Sequence, residues 1–378
     1  MGKASRPNDS QRRRKKGTDH AQSNRLTGLA IALSIAISAS ASHAEDKLKI
    51  GFVYPSPIGD VGWAKELDNG RAAIEEAFGD KVETVVVENV PEGPDAARIM
   101  NQMASTGAGM IMIGSFGYMN DGLKLAAQKP NVTFIHASGY KIAENFGNFQ
   151  TRNYESAYVA GMAAGFKTES DTLGIVAAYS IPEVVGINTF TLGAQRTNPD
   201  INVKVVWLNS WFNPSKAQES ARSLIAQDSD VIFSLYQDTP SVVTVAEEEG
   251  VYVVNTSSDM KEYAPTKLLA SMTIDWTPYF TEQVSATLDG SFEGTPYWGS
   301  MADGAVSLAS LSPDLNDEQV TELNGVMDEI KAGAFHPMTG PIVDQDGKEQ
   351  LADGVIIEDG AMLGINWLVQ GVETRIPQ

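Results

Sequence analysis

Short apolar runs alternate with amphipathic stretches along the chain from residue 47 onward. Residues 47–54 form an apolar, β-branched strand signal; a Gly/Pro loop over 55–62 follows, and a helical period starts at Ala64. A strand that hands over to a helix through such a loop is the first half of a βαβ unit. The pattern then repeats. Strands are predicted over 82–88, 109–114 and 132–136, and helices over 94–106 and 118–128; Ala97, Met100 and Met103 mark one helical face. A helix over 153–166 is crowded with Ala and Gly, which permits close backbone approach. A second series follows, with strands over 172–178, 203–208, 231–235, 251–254 and 268–273. Helices over 182–198, 217–226, 241–249 and 278–288 alternate with them, the first opened by Pro182. A polar helix is expected over 317–330, and Asp344-Gln345-Asp346-Gly347 reads as a hairpin turn.

Strict alternation of strand and helix implies parallel sheets covered on both faces. The two series look like versions of one plan, so the expected architecture is two doubly wound α/β lobes joined by several chain crossings. The first lobe is expected to hold residues 45–165 and about 275–293, the second about 166–274 and 294–378. Ligands of open α/β sheets bind outside the carboxyl ends of the strands, and a cleft between two lobes is the default site. The side chains at those predicted ends are therefore the candidates. They are Asp60 and Trp63; Phe116, Tyr118 and Asp121; Trp211 and Phe212; Gln237 and Asp238; Asp259; and Asp275 with Trp276. Plainer roles compete with each. Trp63 could only cap the core under its helix, and Asp121 could be a helix cap.

Residues 1–44 join a basic stretch containing Arg12-Arg13-Arg14-Lys15-Lys16 to an apolar run over 26–37 and a small-x-small end, Ser42-His43-Ala44. This is the layout of a cleavable secretory signal, with cleavage after Ala44, and the apolar run is shorter than the ~20 residues of a membrane span. Removing this segment, which carries eight Lys/Arg and two Asp/Glu, leaves 20 basic against 46 acidic residues, a net charge of −26. So acidic a chain does not bind nucleic acid or an anionic membrane surface non-specifically. Cysteine is absent, which excludes disulfides, thiolate chemistry and lipid attachment at the cleavage site. A soluble, unlipidated periplasmic protein is expected.

The chemistry of catalysis is sparse. Only His136 and His336 remain after residue 44, far apart in sequence, and no metal-ligand, phosphate-loop, dinucleotide or nucleophile-elbow motif occurs. No cofactor or metal is expected, and a lone histidine at a strand end reads as structural. What remains is rings and carboxylates. A base stacked on an aromatic ring gains ~1–3 kcal/mol; sugars also stack on rings and bond to aspartate, so the residues alone leave base and sugar both open.

Three stretches carry a family resemblance: the strand and loop over 49–69, the strand end from Gly114 to Asp121, and the segment from Trp211 to Lys216. Together they resemble the basic membrane protein family, substrate-binding components of ABC transporters with a periplasmic-binding-protein type I fold. The likeness spans about residues 47–372. It implies ligand capture without catalysis, delivery to a membrane permease, a hinged closure of the lobes and a monomeric receptor. Members similar to this chain bind purine nucleosides or bases. Trp63 falls on the family's stacking aromatic in a loop that commonly reads D-x-S-F-N, here Asp60-Val61-Gly62-Trp63-Ala64. A second ring is expected just before D-P-x-K, here Asn213-Pro214-Ser215-Lys216, so Trp211 or Phe212 supplies it. Asp259 matches an acidic position that holds base or sugar in relatives. The family's S-x-x-K lysine is missing from Ser271-Met272-Thr273-Ile274-Asp275, and Ala64 replaces an asparagine. Both departures favour a smaller ligand, a bare purine base with adenine first. The competing expectations are a sensory protein that presents the same ligand to a chemoreceptor or kinase, and a nucleoside-cleaving enzyme.

Overall fold

The computed structural model describes residues 47–180 and 184–377. The leader expected over 1–44 and the opening of a helix at Pro182 lie outside the described residues. The first series runs β1 (Leu48–Val53), α1 (Trp63–Phe78), β2 (Val82–Val87), α2 (Pro94–Ser105), β3 (Met110–Ile113), α3 (Met119–Gln128), β4 (Thr133–Ala137) and β5 (Phe146–Thr151). The second runs α4 (Asn153–Lys167), β6 (Thr172–Ala177), α5 (Val184–Thr197), β7 (Asn202–Trp207), α6 (Pro214–Ile225), β8 (Val231–Leu235), α7 (Ser241–Glu249), β9 (Tyr252–Ser257) and β10 (Leu268–Ile274). The chain closes with α8 (Thr277–Asp289), β11 (Pro296–Gly299), β12 (Val306–Ala309), α9 (Asp317–Lys331), β13 (Ile342–Val343), β14 (Glu349–Leu351) and α10 (Asp359–Met362).

Two six-stranded sheets result, in the orders β11-β5-β4-β3-β1-β2 and β12-β10-β9-β8-β6-β7. Every pairing is parallel except that of β12 with β10. This is the periplasmic-binding-protein type I fold. The central strands are buried end to end: Met110, Ile111, Met112 and Ile113 of β3 are all inside, as a sheet covered on both faces requires. The chain passes between the sheets after β5, after β10 and again between β11 and β12. Helix α8 packs on α1 of the first lobe, whereas α4 packs against α5, α9 and β10 of the second. β11 joins the first sheet although it lies in the stretch expected in the second lobe. The sequence pattern also passes over β5, because its apolar Phe146 and Phe149 are interrupted by Asn148 and Gln150.

The small residues of α4 do what their size allows. A Cβ on Gly161 would lie 2.0 Å from the Phe190 carbonyl oxygen, and one on Gly193 of α5 would lie 1.9 Å from that of Tyr158. The two helices therefore pack backbone on backbone. The hairpin expected near 344–347 forms between β13 and β14, where the Asp344 carboxylate accepts from the N–H groups of Asp346 and Lys348 at 2.9 and 3.0 Å.

Candidate functional site

The carboxyl ends of both sheets face one cavity. It provides about 90 Å³ in which the centre of a water molecule can lie; a single water needs ~10–15 Å³ on that measure, so the space suits a small organic molecule. From the first sheet come Trp63, Ser115, Phe116, Ser138, Gln150, Thr151 and Trp298; from the second come Trp211, Tyr236 and Asp238. Asn153 and Tyr154 at the start of α4 lie between them, and Met362, Leu363 and Ile365 form a further wall. Six rings enclose it, those of Trp63, Phe116, Tyr154, Trp211, Tyr236 and Trp298, with polar side chains between them.

Each ring is held from behind. Trp63 Nε1 donates to the Gly114 carbonyl at 2.8 Å, and its ring meets Trp276 edge-on at 5.6 Å and Tyr236 at 6.5 Å. Trp211 packs on Tyr179 at 4.7 Å, and its Nε1 donates to Glu92 Oε1 at 3.2 Å. The same Glu92 oxygen accepts from Ser115 Oγ at 2.5 Å and from the Gly117 N–H at 3.0 Å. Glu92 thus ties the second-lobe ring to the strand end that carries Phe116. The hydroxyl of Tyr236 accepts from Asn153 Nδ2 at 2.8 Å. Thr151 Oγ1 is buried at the cavity edge with no hydrogen-bond partner among the described residues.

The lobes are closed on one another. Asp238, just past β8, receives hydrogen bonds across the cleft from Ser56 Oγ and from the N–H groups of Trp63 and Ala64. These N–H groups are among the unpaired donors at the start of α1, and the positive end of the helix dipole favours the carboxylate. Burial pushes the Asp238 carboxyl up to about 6, against the opposing pull of those hydrogen bonds. Gly62 makes the approach possible. Its φ is +104°, and a Cβ there would lie 2.9 Å from the Asp238 Cα. Its N–H donates to Ser258 Oγ at 2.8 Å, and Val61 beside it is buried among Val243, Met260 and Leu268 of the second lobe.

Of the residues singled out from sequence, Trp63, Phe116, Trp211 and Asp238 line the cavity. The others do not. Tyr118 is 0% exposed in the first-lobe core, its hydroxyl donating to the Val90 carbonyl at 2.6 Å. Trp276 is buried behind Trp63, against Phe149 and Phe280. Phe212 is 40% exposed and outside the lining, so Trp211 is the ring this segment contributes. Gln237 turns inward, with Nε2 at 3.4 Å from the Leu235 carbonyl. Asp60 lies exposed on the loop, and Asp121 sits in the first turn of α3 away from the lining. Asp259 and Asp275 do local work. Asp259 accepts from Ser310 Oγ and the Lys261 N–H, and Asp275 accepts from the Thr277 N–H at the start of α8. Adjacent side chains at a strand end diverge, so proximity in sequence does not carry all of them to one cavity. His136 is wholly buried: one ring nitrogen bonds the Ser115 carbonyl at 2.8 Å, the ring stacks near Phe146, and burial lowers its pKa to about 4.

Sequence reasoning passed over Glu92, Ser115, Ser138, Gln150, Thr151, Asn153, Tyr154, Tyr236, Trp298 and the wall around Met362. Tyr236 was within reach, since it stands between β8 and Asp238; its positive φ of 55° marks an irregular strand end.

Two α/β lobes closed over an aromatic cavity define a ligand-binding receptor of the solute-binding type. The chain belongs to the Bmp family of PnrA-like ABC transporter substrate-binding proteins, whose family model matches residues 47–335. It is 41% identical over 339 residues to a purine-binding protein of Brucella abortus, spanning 89% of this chain and 96% of that one. It is 33% identical to a protein of Haloferax volcanii named as an ABC transporter glucose-binding protein, over 88% of this chain and 82% of the relative. An ABC transporter solute-binding protein of Aeropyrum pernix shares the fold, with a TM-score of 0.68 at 14% identity over 76% of this chain and 92% of that one.

Proposed function

We propose that this receptor captures a purine base, adenine first, in the periplasm and delivers it as a monomer to the permease of an ABC importer. The observation that carries the reading is that Trp63 of one lobe and Trp211 of the other line one cavity, together with Phe116. Indole rings supplied by both lobes suit a flat heteroaromatic ligand, and each ring that stacks on it contributes ~1–3 kcal/mol. Ser115, Ser138, Gln150, Thr151 and Asn153 supply a few donors and acceptors at the rim for its ring nitrogens and amine. The 41% identical relative named as purine-binding supports the same ligand class. The second relative is named as glucose-binding, which makes glucose the competing ligand.

The test is to identify by native mass spectrometry the ligand that co-purifies with the receptor, then to titrate the stripped protein with adenine, guanine, adenosine and glucose. Adenine or guanine binding tightly and glucose not at all is the expected result. A co-purified sugar, with no response to any purine, would overturn it.

A further inference from the structure

The family-wide match ends at Phe335, yet the chain beyond it returns to the cavity and supplies Met362, Leu363 and Ile365 to its lining. These three side chains carry no hydrogen-bonding group. The segment that bears them is fastened on both sides. Before it, Asp359 forms a two-pronged ion pair with Arg152, at 2.9 and 2.5 Å. After it, the buried Asn188 of α5 donates to the Trp367 carbonyl at 3.0 Å and accepts from the Val369 N–H at 2.9 Å. Met362 is itself buried. Arg152 also donates to the Tyr154 hydroxyl at 2.5 Å and lies 4.8 Å over the Trp298 ring, so one guanidinium joins three parts of the wall. A planar fork of this kind fixes direction as well as distance.

We infer that residues 359–367 are the specificity filter of the cavity: an apolar wall, held at fixed depth by Arg152–Asp359 and Asn188, that admits a bare purine base and excludes its nucleoside. The inference rests on the purine reading above. A ribose nearly doubles the heavy atoms of the ligand, and it brings hydroxyl groups that this wall leaves without partners. Hydroxyls buried that way lose their water without replacement. Filling the same space with aliphatic side chains closes it to ribose on grounds of both volume and polarity.

The experiment compares adenine and adenosine by calorimetry on the full receptor and on Met362→Ala/Leu363→Ala. The wild type should bind adenine at least about tenfold more tightly than adenosine. In the variant that ratio should fall about fivefold or more, with the adenosine Kd falling relative to that of adenine. Leu363→Ala alone, at a half-buried position, serves if the double variant does not fold. Asp359→Asn should narrow the ratio in the same direction by loosening the wall, and Asp359→Glu should restore part of it; a merely structural role would weaken both ligands together. A wild type that binds adenine, with a ratio that no variant moves, overturns the filter and leaves the purine reading standing. A wild type that binds neither purine removes both.

Discussion

The carboxylate of Asp238, at the end of a strand in the second sheet, accepts a hydrogen bond from the main-chain N–H of Trp63, at the start of α1 in the first lobe. One side chain therefore caps a helix of the opposite lobe while its neighbours enclose the cavity. The contact between the lobes and the capping of α1 rest on the same carboxylate.

Asp238→Ala leaves the Trp63 and Ala64 N–H groups without that acceptor. Loss of a helix cap costs ~0.5–2 kcal/mol, and here the cost falls on the closed form. The ligand Kd should rise about 2- to 30-fold, mainly through faster release. Stopped-flow release rates on wild type and variant check this; an unchanged off-rate would remove the latch.

Gly62→Ala should act on the same contact from the other side. The residue sits at φ +104°, and the added methyl would meet Asp238. Alanine at positive φ destabilises by about 1 kcal/mol or more, and the clash concerns the closed form above all. Small-angle scattering with saturating adenine should show a variant more open than the wild type. Equal compactness would show that the loop tolerates the methyl.

The pH response follows from burial. The Asp238 carboxyl is raised from 3.8 to about 6 and that of Glu155, which accepts from the Met301 N–H at 2.7 Å, from 4.5 to about 7. A raised carboxyl binds its proton more tightly in the folded than in the unfolded chain. Its contribution is fully present below the unfolded value and is lost as pH rises through the folded one. For Asp238 the window is about 4 to 6, worth about 3 kcal/mol at most. Asp238→Asn should therefore gain stability relative to wild type between pH 4 and pH 7. Urea unfolding at the two pH values measures the difference, and a gap of constant size would contradict the assignment.

The rings separate by substitution. Trp63→Ala and Trp211→Ala should each weaken adenine binding by ~1–3 kcal/mol, about 5- to 150-fold. Phe212→Ala should leave binding near wild type, because that ring faces solvent. Trp276→Ala should cost about 3–5 kcal/mol of stability, as a core truncation does. Fluorescence titration alongside urea unfolding distinguishes the two patterns; strong loss of binding in Phe212→Ala would return that ring to the site.

Much of this was legible along the chain. The alternation of apolar runs with helical periods has to make parallel sheets with helices on both faces, and strand ends in such sheets line a site. Trp63, Phe116, Trp211 and Asp238 were reachable by that rule alone. The same rule overreached at Tyr118, Asp259 and Asp275: the Tyr118 hydroxyl bonds the Val90 carbonyl in the core, and the two carboxylates accept from nearby main-chain N–H groups of their own loops.

The sequence by itself determined the two βα series, the helices with their buried faces, the strand ends and the supply of rings. These depend on periods of two and 3.6 residues and on turn residues, all local in the chain. Tertiary structure alone decided that Glu92 binds Trp211, that Asp238 caps α1, that β11 completes the first sheet and that Met362, Leu363 and Ile365 wall the cavity. Each of these joins residues more than a hundred positions apart. Such contacts leave no periodic trace in the chain, because they depend on how two already folded lobes and a returning segment settle against one another.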